Sequence, residues 1–197
     1  QRIYQILIIE DKDLTDELVN ILKNILLDEK LDPSFKGLLF SVPNHGFLSQ
    51  KLEEYDPIHL LDKINKLKTS MAIRLKNEWE LTFHKMKSKG LYSLEPEEIS
   101  IRSLKNLSLN MLLWVDENTY KDLATNQYIK SDNMNDQWAS LCSLYIKSKH
   151  AYQDLINDFY ERNKHEEISL DRWFSIQAIK YPHGDKKFVQ KINSLKN

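Results

Sequence analysis

The side chains of this 197-residue chain that could do chemistry are six histidines, one cysteine and several pairs of carboxylates. Zinc hydrolysis needs two histidines one helical turn apart, a third ligand and a base, as in His-Glu-x-x-His. The histidines stand at 45, 59, 84, 150, 165 and 183, with no i, i+4 pair and no His-x-His. His165-Glu166 continues into Glu167-Ile168-Ser169, with no second histidine. These histidines read as scattered solvated or capping side chains. A single cysteine, Cys142, excludes an internal disulfide and a cysteine metal cluster. Its helix face looks apolar, which suits a small buried thiol better than a nucleophile. The adjacent acids Glu53-Glu54, Glu97-Glu98 and Glu166-Glu167 point different ways around a helix and form no acid–base dyad. There is no Gly-x-Ser-x-Gly elbow. Four glycines nearly exclude a glycine-rich phosphate loop. The expectation is therefore no catalytic, cofactor-binding or metal-ligating residue in this chain.

Charge and hydropathy narrow the partners. Lys+Arg is 28 and Asp+Glu is 29, a net charge of −1, so no global basic field invites nucleic acid. The basic run at residues 85–89 fits a helix C-terminus better than an anion site. The longest apolar runs, residues 6–9 and 111–115, fall far short of the roughly 20 residues that a membrane-spanning helix needs. Mean hydropathy is −0.55 with 29% charged residues, as expected of helices that each bury one stripe. The sequence opens Gln1-Arg2-Ile3 without Met, signal peptide or transit pattern, and reads as an internal piece of a longer polypeptide. A processed or tag-cleaved whole protein is the alternative.

Helix follows helix along the chain. Residues 1–11 read as the tail of a helix without its start. Leu18, Ile21, Leu22, Ile25 and Leu26 make one face, with Thr15 or Asp13 as cap. Asp32-Pro33 and Asp56-Pro57 each pair a capping carboxylate with proline at the first helical position. The first of these helices carries Phe35, Leu38, Leu39 and Val42 and stops at Pro43. Asn44 opens a short turn through Phe47, Leu48 and Leu52. After Pro57 one long stripe runs Ile58, Leu61, Ile64, Leu67, Met71, Leu75 and Trp79, ending at Gly90 as C′ residue. Ser93 to Pro96 begins a helix with Ile101, Leu104, Leu107 and Met111 inward. Asp116 caps Tyr120, Leu123, Ala124 and Tyr128, and Asn135 caps Ala139, Cys142, Leu144 and Tyr145. Leu155, Ile156, Phe159 and Tyr160 mark another helix, Trp173, Phe174 and Gln177 the next. A break at residues 181–184 precedes Phe188, Val189, Ile192 and Leu195. Strand signals are absent apart from a few residues at 98–102. The pattern predicts an all-α chain of about ten antiparallel helices in an irregular α-solenoid or superhelix, a single helical domain over residues 1–197.

Three stretches in order resemble the C-terminal helical domain of bacterial aminopeptidase N, a zinc metallopeptidase family of the His-Glu-x-x-His class. The first runs from Leu26 to Pro33 (Leu-Leu-Asp-Glu-Lys-Leu-Asp-Pro), then Leu38, Val42-Pro43 and Asp56-Pro57-Ile58. The second is Arg102-Ser-Leu104-Lys-Asn106, then Gln127-Tyr128, Asn133-Met-Asn-Asp136, Ala139 and Leu141. The third is Leu170-Asp171-Arg-Trp173-Phe174-Ser-Ile-Gln177-Ala178. The chain departs from the family pattern at Ser131-Asp132, at Asn135 where the family has threonine, and at Arg172 where it has lysine. Read as physics, these residues are scaffolding. Trp173 and Phe174 offer large area to bury. Gln177 and Asn106, on inward faces, need hydrogen-bond partners. Asp171 is an N-cap or a partner for Arg102 or Arg172.

The resemblance implies a domain truncated at both ends, part of a larger aminopeptidase that removes N-terminal residues from peptides. In the family the zinc, its Glu base and the amine anchor lie in an upstream catalytic domain, the implied partner in the same polypeptide. The implied role here is non-catalytic: the wall of an internal cavity that admits peptide substrates. It implies no nucleic acid, no membrane and a cytoplasmic location. The alternative is a free-standing helical-repeat module that binds proteins or peptides.

Overall fold

The computed structural model describes residues 1–87, 90, 92–147 and 152–179. Among them are eleven helices and no strand: α1 Arg2–Ile9, α2 Asp16–Leu27, α3 Pro33–Leu39, α4 His45–Ser49, α5 Pro57–Arg74, α6 Lys76–Lys85, α7 Pro96–Val115, α8 Glu117–Lys130, α9 Met134–Lys147, α10 Gln153–Asn163 and α11 Glu167–Ile179. The all-α class is as expected, and residues 98–102 are helical. Contacts group the chain into two compact units, Gln1–Tyr120 and Lys121–Asn197.

Helix starts in the first unit follow side-chain acceptors. Thr15, not Asp13, caps α2, its Oγ1 accepting from the Leu18 amide at 3.2 Å. Asp32 accepts from the Phe35 amide at 2.9 Å and Asn44 from that of Phe47 at 2.8 Å. Asp56 accepts from the amides of Ile58 and His59 at 2.7 and 3.3 Å. Each bond satisfies an amide that the first helical turn leaves without a partner. Prolines 33, 57 and 96 stand in first turns, where the missing N–H costs nothing.

Helix α7 is the pillar of this unit, with α3, α5 and α6 packed on it, α1 and α4 on α5, and α2 on α6. Its buried residues, Ser100, Arg102, Leu104, Ser108, Leu109, Met111, Leu112 and Leu113, lie on more than one side of the helix. Leu104 and Met111 are therefore inward as expected, while Ile101 and Leu107 are half-buried. The chain between α1 and α2 is laced to α5. Lys66 pairs with Asp11 at 3.0 Å, Ser70 donates to Asp13 at 2.5 Å, and Arg74 bonds the Leu14 carbonyl and Asp16.

The long stripe is corrected in three ways. It breaks at Leu75 (φ −114°, ψ 21°), which ends α5 and precedes α6. It begins at Leu60, 3% exposed, while Ile58 and Leu61 are 70% and 46% exposed. The spacing of four, three and four from Leu60 through Ile64 and Leu67 to Met71 follows the 3.6-residue turn, and the neighbouring leucine competed for the same reading. Helix α6 ends at Lys85, capped at Met86, so Gly90 is not its C′ residue. In α3 the inward residues are Lys36 and, just beyond the helix, Phe40; Phe35 and Leu38 are outward. In α2 Val19, Leu22 and Leu26 face inward, and Ile21 is 49% exposed.

The second unit is built on Tyr128, Leu141, Tyr145, Ile156, Phe159 and Ile176. Helix α11 packs on α9 and α10. Polar clips fix the turn between α8 and α9: Gln127 donates to Ser140 at 3.0 Å, and Gln137 to the Ser131 carbonyl at 3.0 Å. The cap of α9 is Asn133, which accepts from the Asp136 amide at 2.9 Å. The expected cap, Asn135, is exposed inside the first turn. Either asparagine can cap; the helix begins two residues earlier than a cap at Asn135 would place it. The expected break at 181–184 and the face at Phe188, Val189, Ile192 and Leu195 lie outside the described residues. Among the described residues no helix is long and apolar enough to cross a membrane.

Candidate functional site

Among the described residues no three His, Cys, Asp or Glu side chains come together as a metal site. His45 packs edge-on to Tyr55 with centroids 5.5 Å apart, and its buried Nε2 has no hydrogen-bond partner. His84 meets Phe83 edge-on with centroids 5.4 Å apart, and His165 is exposed. Positions 150 and 183 lie outside the described residues. Cys142 is half-buried against the second core. Burial pushes its thiol up to about 12, countered only in part by Arg172, so the nucleophilic thiolate is suppressed at neutral pH.

The residues that carried the family resemblance act as packing and caps. Trp173 lies 4.9 Å from the Tyr160 ring and 5.0 Å from Phe174. Phe174 is 46% exposed, which corrects the expectation that both rings are buried. Arg172 stands over the Trp138 ring at 5.8 Å. Asp171 is not an N-cap, and among the described residues it has no ion-pair partner: it is exposed inside α11, and its carbonyl accepts from Ser175 at 2.7 Å. Arg102 donates to the Ser93 carbonyl at 2.6 Å and lies over Tyr92 at 4.7 Å. Gln177 is fully buried, yet neither its Oε1 nor its Nε2 has a hydrogen-bond partner. Sequence logic demanded partners for that amide, and none is present among the described residues.

One concave site is a cleft of about 430 Å³ in the first unit, where the end of α2, the start of α3, the end of α6 and the start of α7 converge. Leu27, Leu31 and Leu81 give it apolar walls; Lys36 lies in it and Glu97 lines it. Lys36 is 5% exposed, and its Nζ donates to the Leu26 carbonyl at 3.0 Å. That carbonyl belongs to the last turn of α2, which has no basic residue of its own. The ammonium thus caps a helix end whose dipole favours positive charge. Burial lowers the Lys36 pKa, opposed by the nearby charges of Asp28 and Glu29. At the rim Lys85 pairs with Glu29. The sequence reading missed Lys36 because lysine is almost never placed inside. The available signal was its i, i+4 relation to Phe40, which sets it on the inward face. A smaller cavity of about 170 Å³ lies between Ile9, Leu52, Tyr55, His59 and Lys63.

Comparison with known proteins adds what the geometry does not contain. Over residues 1–197 the chain matches the family described as "Domain of unknown function (DUF3458_C) ARM repeats". It is 26% identical over 155 residues to aminopeptidase N of Escherichia coli (strain K12), covering 78% of this chain and 18% of that protein. It is 23% identical over 182 residues to aminopeptidase N of Haemophilus influenzae, covering 92% of this chain and 20% of that protein. Among solved structures, the crystal structure of Legionella pneumophila aminopeptidase A in complex with aspartic acid superposes with a TM-score of 0.85 at 19% identity. That match covers 100% of this chain and 24% of that one, and it shows the fold. The chain therefore spans about a fifth of the length of the curated relatives it matches.

Proposed function

Because the chain belongs to the DUF3458_C family of ARM-repeat domains, we propose that it serves as the C-terminal helical part of a zinc-dependent aminopeptidase that removes N-terminal residues from peptides. In this reading the catalytic domain, with its zinc, base and amine anchor, lies upstream in the same polypeptide. The helical part is non-catalytic and forms a wall of the cavity that peptide substrates enter. The whole protein works in the cytoplasm.

One observation carries the reading: the family match runs the full length of the chain, while the aminopeptidase relatives extend far beyond it. The roles of the motif residues support it. Asp32, Asp56 and Asn133 hold helix starts, and Trp173 packs against Tyr160. These are the duties of a scaffold, in which chemistry is supplied from elsewhere. The test is an aminoacyl-anilide assay of the isolated chain in excess zinc. No turnover is expected. Turnover that a chelator abolishes would overturn the non-catalytic role, and an upstream reading frame without a His-Glu-x-x-His would overturn the parentage.

A further inference from the structure

An ammonium has three N–H donors. Lys36 uses one on the Leu26 carbonyl, and among the described residues it makes no other hydrogen bond and no ion pair. Asp28 and Glu29 lie near enough to act on its charge but outside ion-pair distance. A side chain this enclosed, 5% exposed, with donors to spare and a cleft of about 430 Å³ beside it, is built to meet an acceptor. A cleft of that size is in the range of small-molecule sites, where apolar walls and a few placed polar groups fix the ligand.

The surroundings narrow the ligand. The rim cation Lys85 is already paired with Glu29, and Glu97 and the exposed Lys87 also line the cleft, so Lys36 is its buried positive charge. A doubly charged phosphate would bring more charge than the one buried cation balances, since Lys85 is paired and Lys87 is exposed to screening solvent. A singly charged carboxylate matches, and its apolar body finds Leu27, Leu31 and Leu81, of which Leu81 is 60% exposed at the cleft mouth. We propose that this cleft binds a carboxylate carried on an apolar body, with the carboxylate accepting from Lys36 and the body lying on the three leucines. Both a peptide with an aliphatic C-terminal residue and a medium-chain fatty acid offer that chemistry.

Calorimetric titration of the full chain tests it, with N-acetyl-leucyl-leucine and octanoate as probes, each against its own primary amide. At least one acid should bind saturably, with its amide at least tenfold weaker. Which acid binds identifies the source, peptide or lipid. Leu81→Trp fills the mouth from an exposed position and should abolish binding while leaving the melting temperature unchanged. Lys36→Met should erase the difference between acid and amide; if losing the α2 cap unfolds it, Leu81→Trp still decides. Binding of neither acid, equal binding of acid and amide, or full binding by Leu81→Trp each overturns the proposal. None of these readouts involves peptidase activity, so the cleft and the proposed aminopeptidase role stand or fall separately.

Discussion

At the residue scale, two side chains carry direct tests of how the second unit uses burial. With its thiol pushed up to about 12, Cys142 holds almost no thiolate at pH 8. Iodoacetamide should modify it at least a hundredfold more slowly in the native chain than in urea, read by mass spectrometry over time. A native rate within tenfold of the unfolded one would show the sulfur open to water. Gln177 poses the opposite question. A buried amide with no partner costs about 1–3 kcal/mol, because its bonds to water are lost and not replaced. Gln177→Met keeps the length of the side chain and discards the amide. It should raise stability in denaturant titration by about 1 kcal/mol or more. A loss of stability would mean that the amide holds a partner.

At the scale of the element, caps discriminate most sharply. Asn133→Ala should cost about 1 kcal/mol, the usual value of an N-cap, while Asn135→Ala should stay within about 0.5 kcal/mol. Equal effects would move the start of α9. The pair also shows what the sequence disclosed. Helix existence and starts were legible wherever a capping acceptor preceded a proline, as at Asp32 and Asp56, since both act locally on the backbone. Which face turns inward was less legible. Leu60 and Leu61 are equally apolar, and only the packing of α1, α4 and α7 on α5 decides between them. The break at Leu75 has no glycine or proline to announce it, so it belongs to tertiary packing rather than to local propensity. The cleft was invisible for the same reason: Lys36 looks like a surface residue until α2 ends above it.

Across the whole molecule, acid sensitivity should follow from carboxylates held charged by their neighbours. Ser70 donates to Asp13 and holds its carboxyl below the ordinary range; Lys66 does the same for Asp11, and Thr119 for Asp116. A carboxylate whose folded pKa lies below its unfolded value stabilises the fold above about pH 4. That contribution disappears as pH falls through the folded value. Thermal melts followed by circular dichroism should therefore show a modest fall in melting temperature as pH drops below about 4, since Asp11 and Asp116 are exposed and screened. Asp13→Asn should flatten part of it, since the loop between α1 and α2 is tied to α5 through that carboxylate. An identical profile in the variant would remove Asp13 from the account.

The pillar α7 has a consequence for how chains of this kind can diverge. Because it is enclosed on more than one side, adding or deleting a single residue near its middle would rotate everything after it by about 100°, trading core positions for solvent ones. Substitution can explore such a segment, but changes in length cannot. Insertions and deletions that distinguish kindred chains should instead gather in the short connector around residues 50–55, where an extra residue displaces no buried side chain.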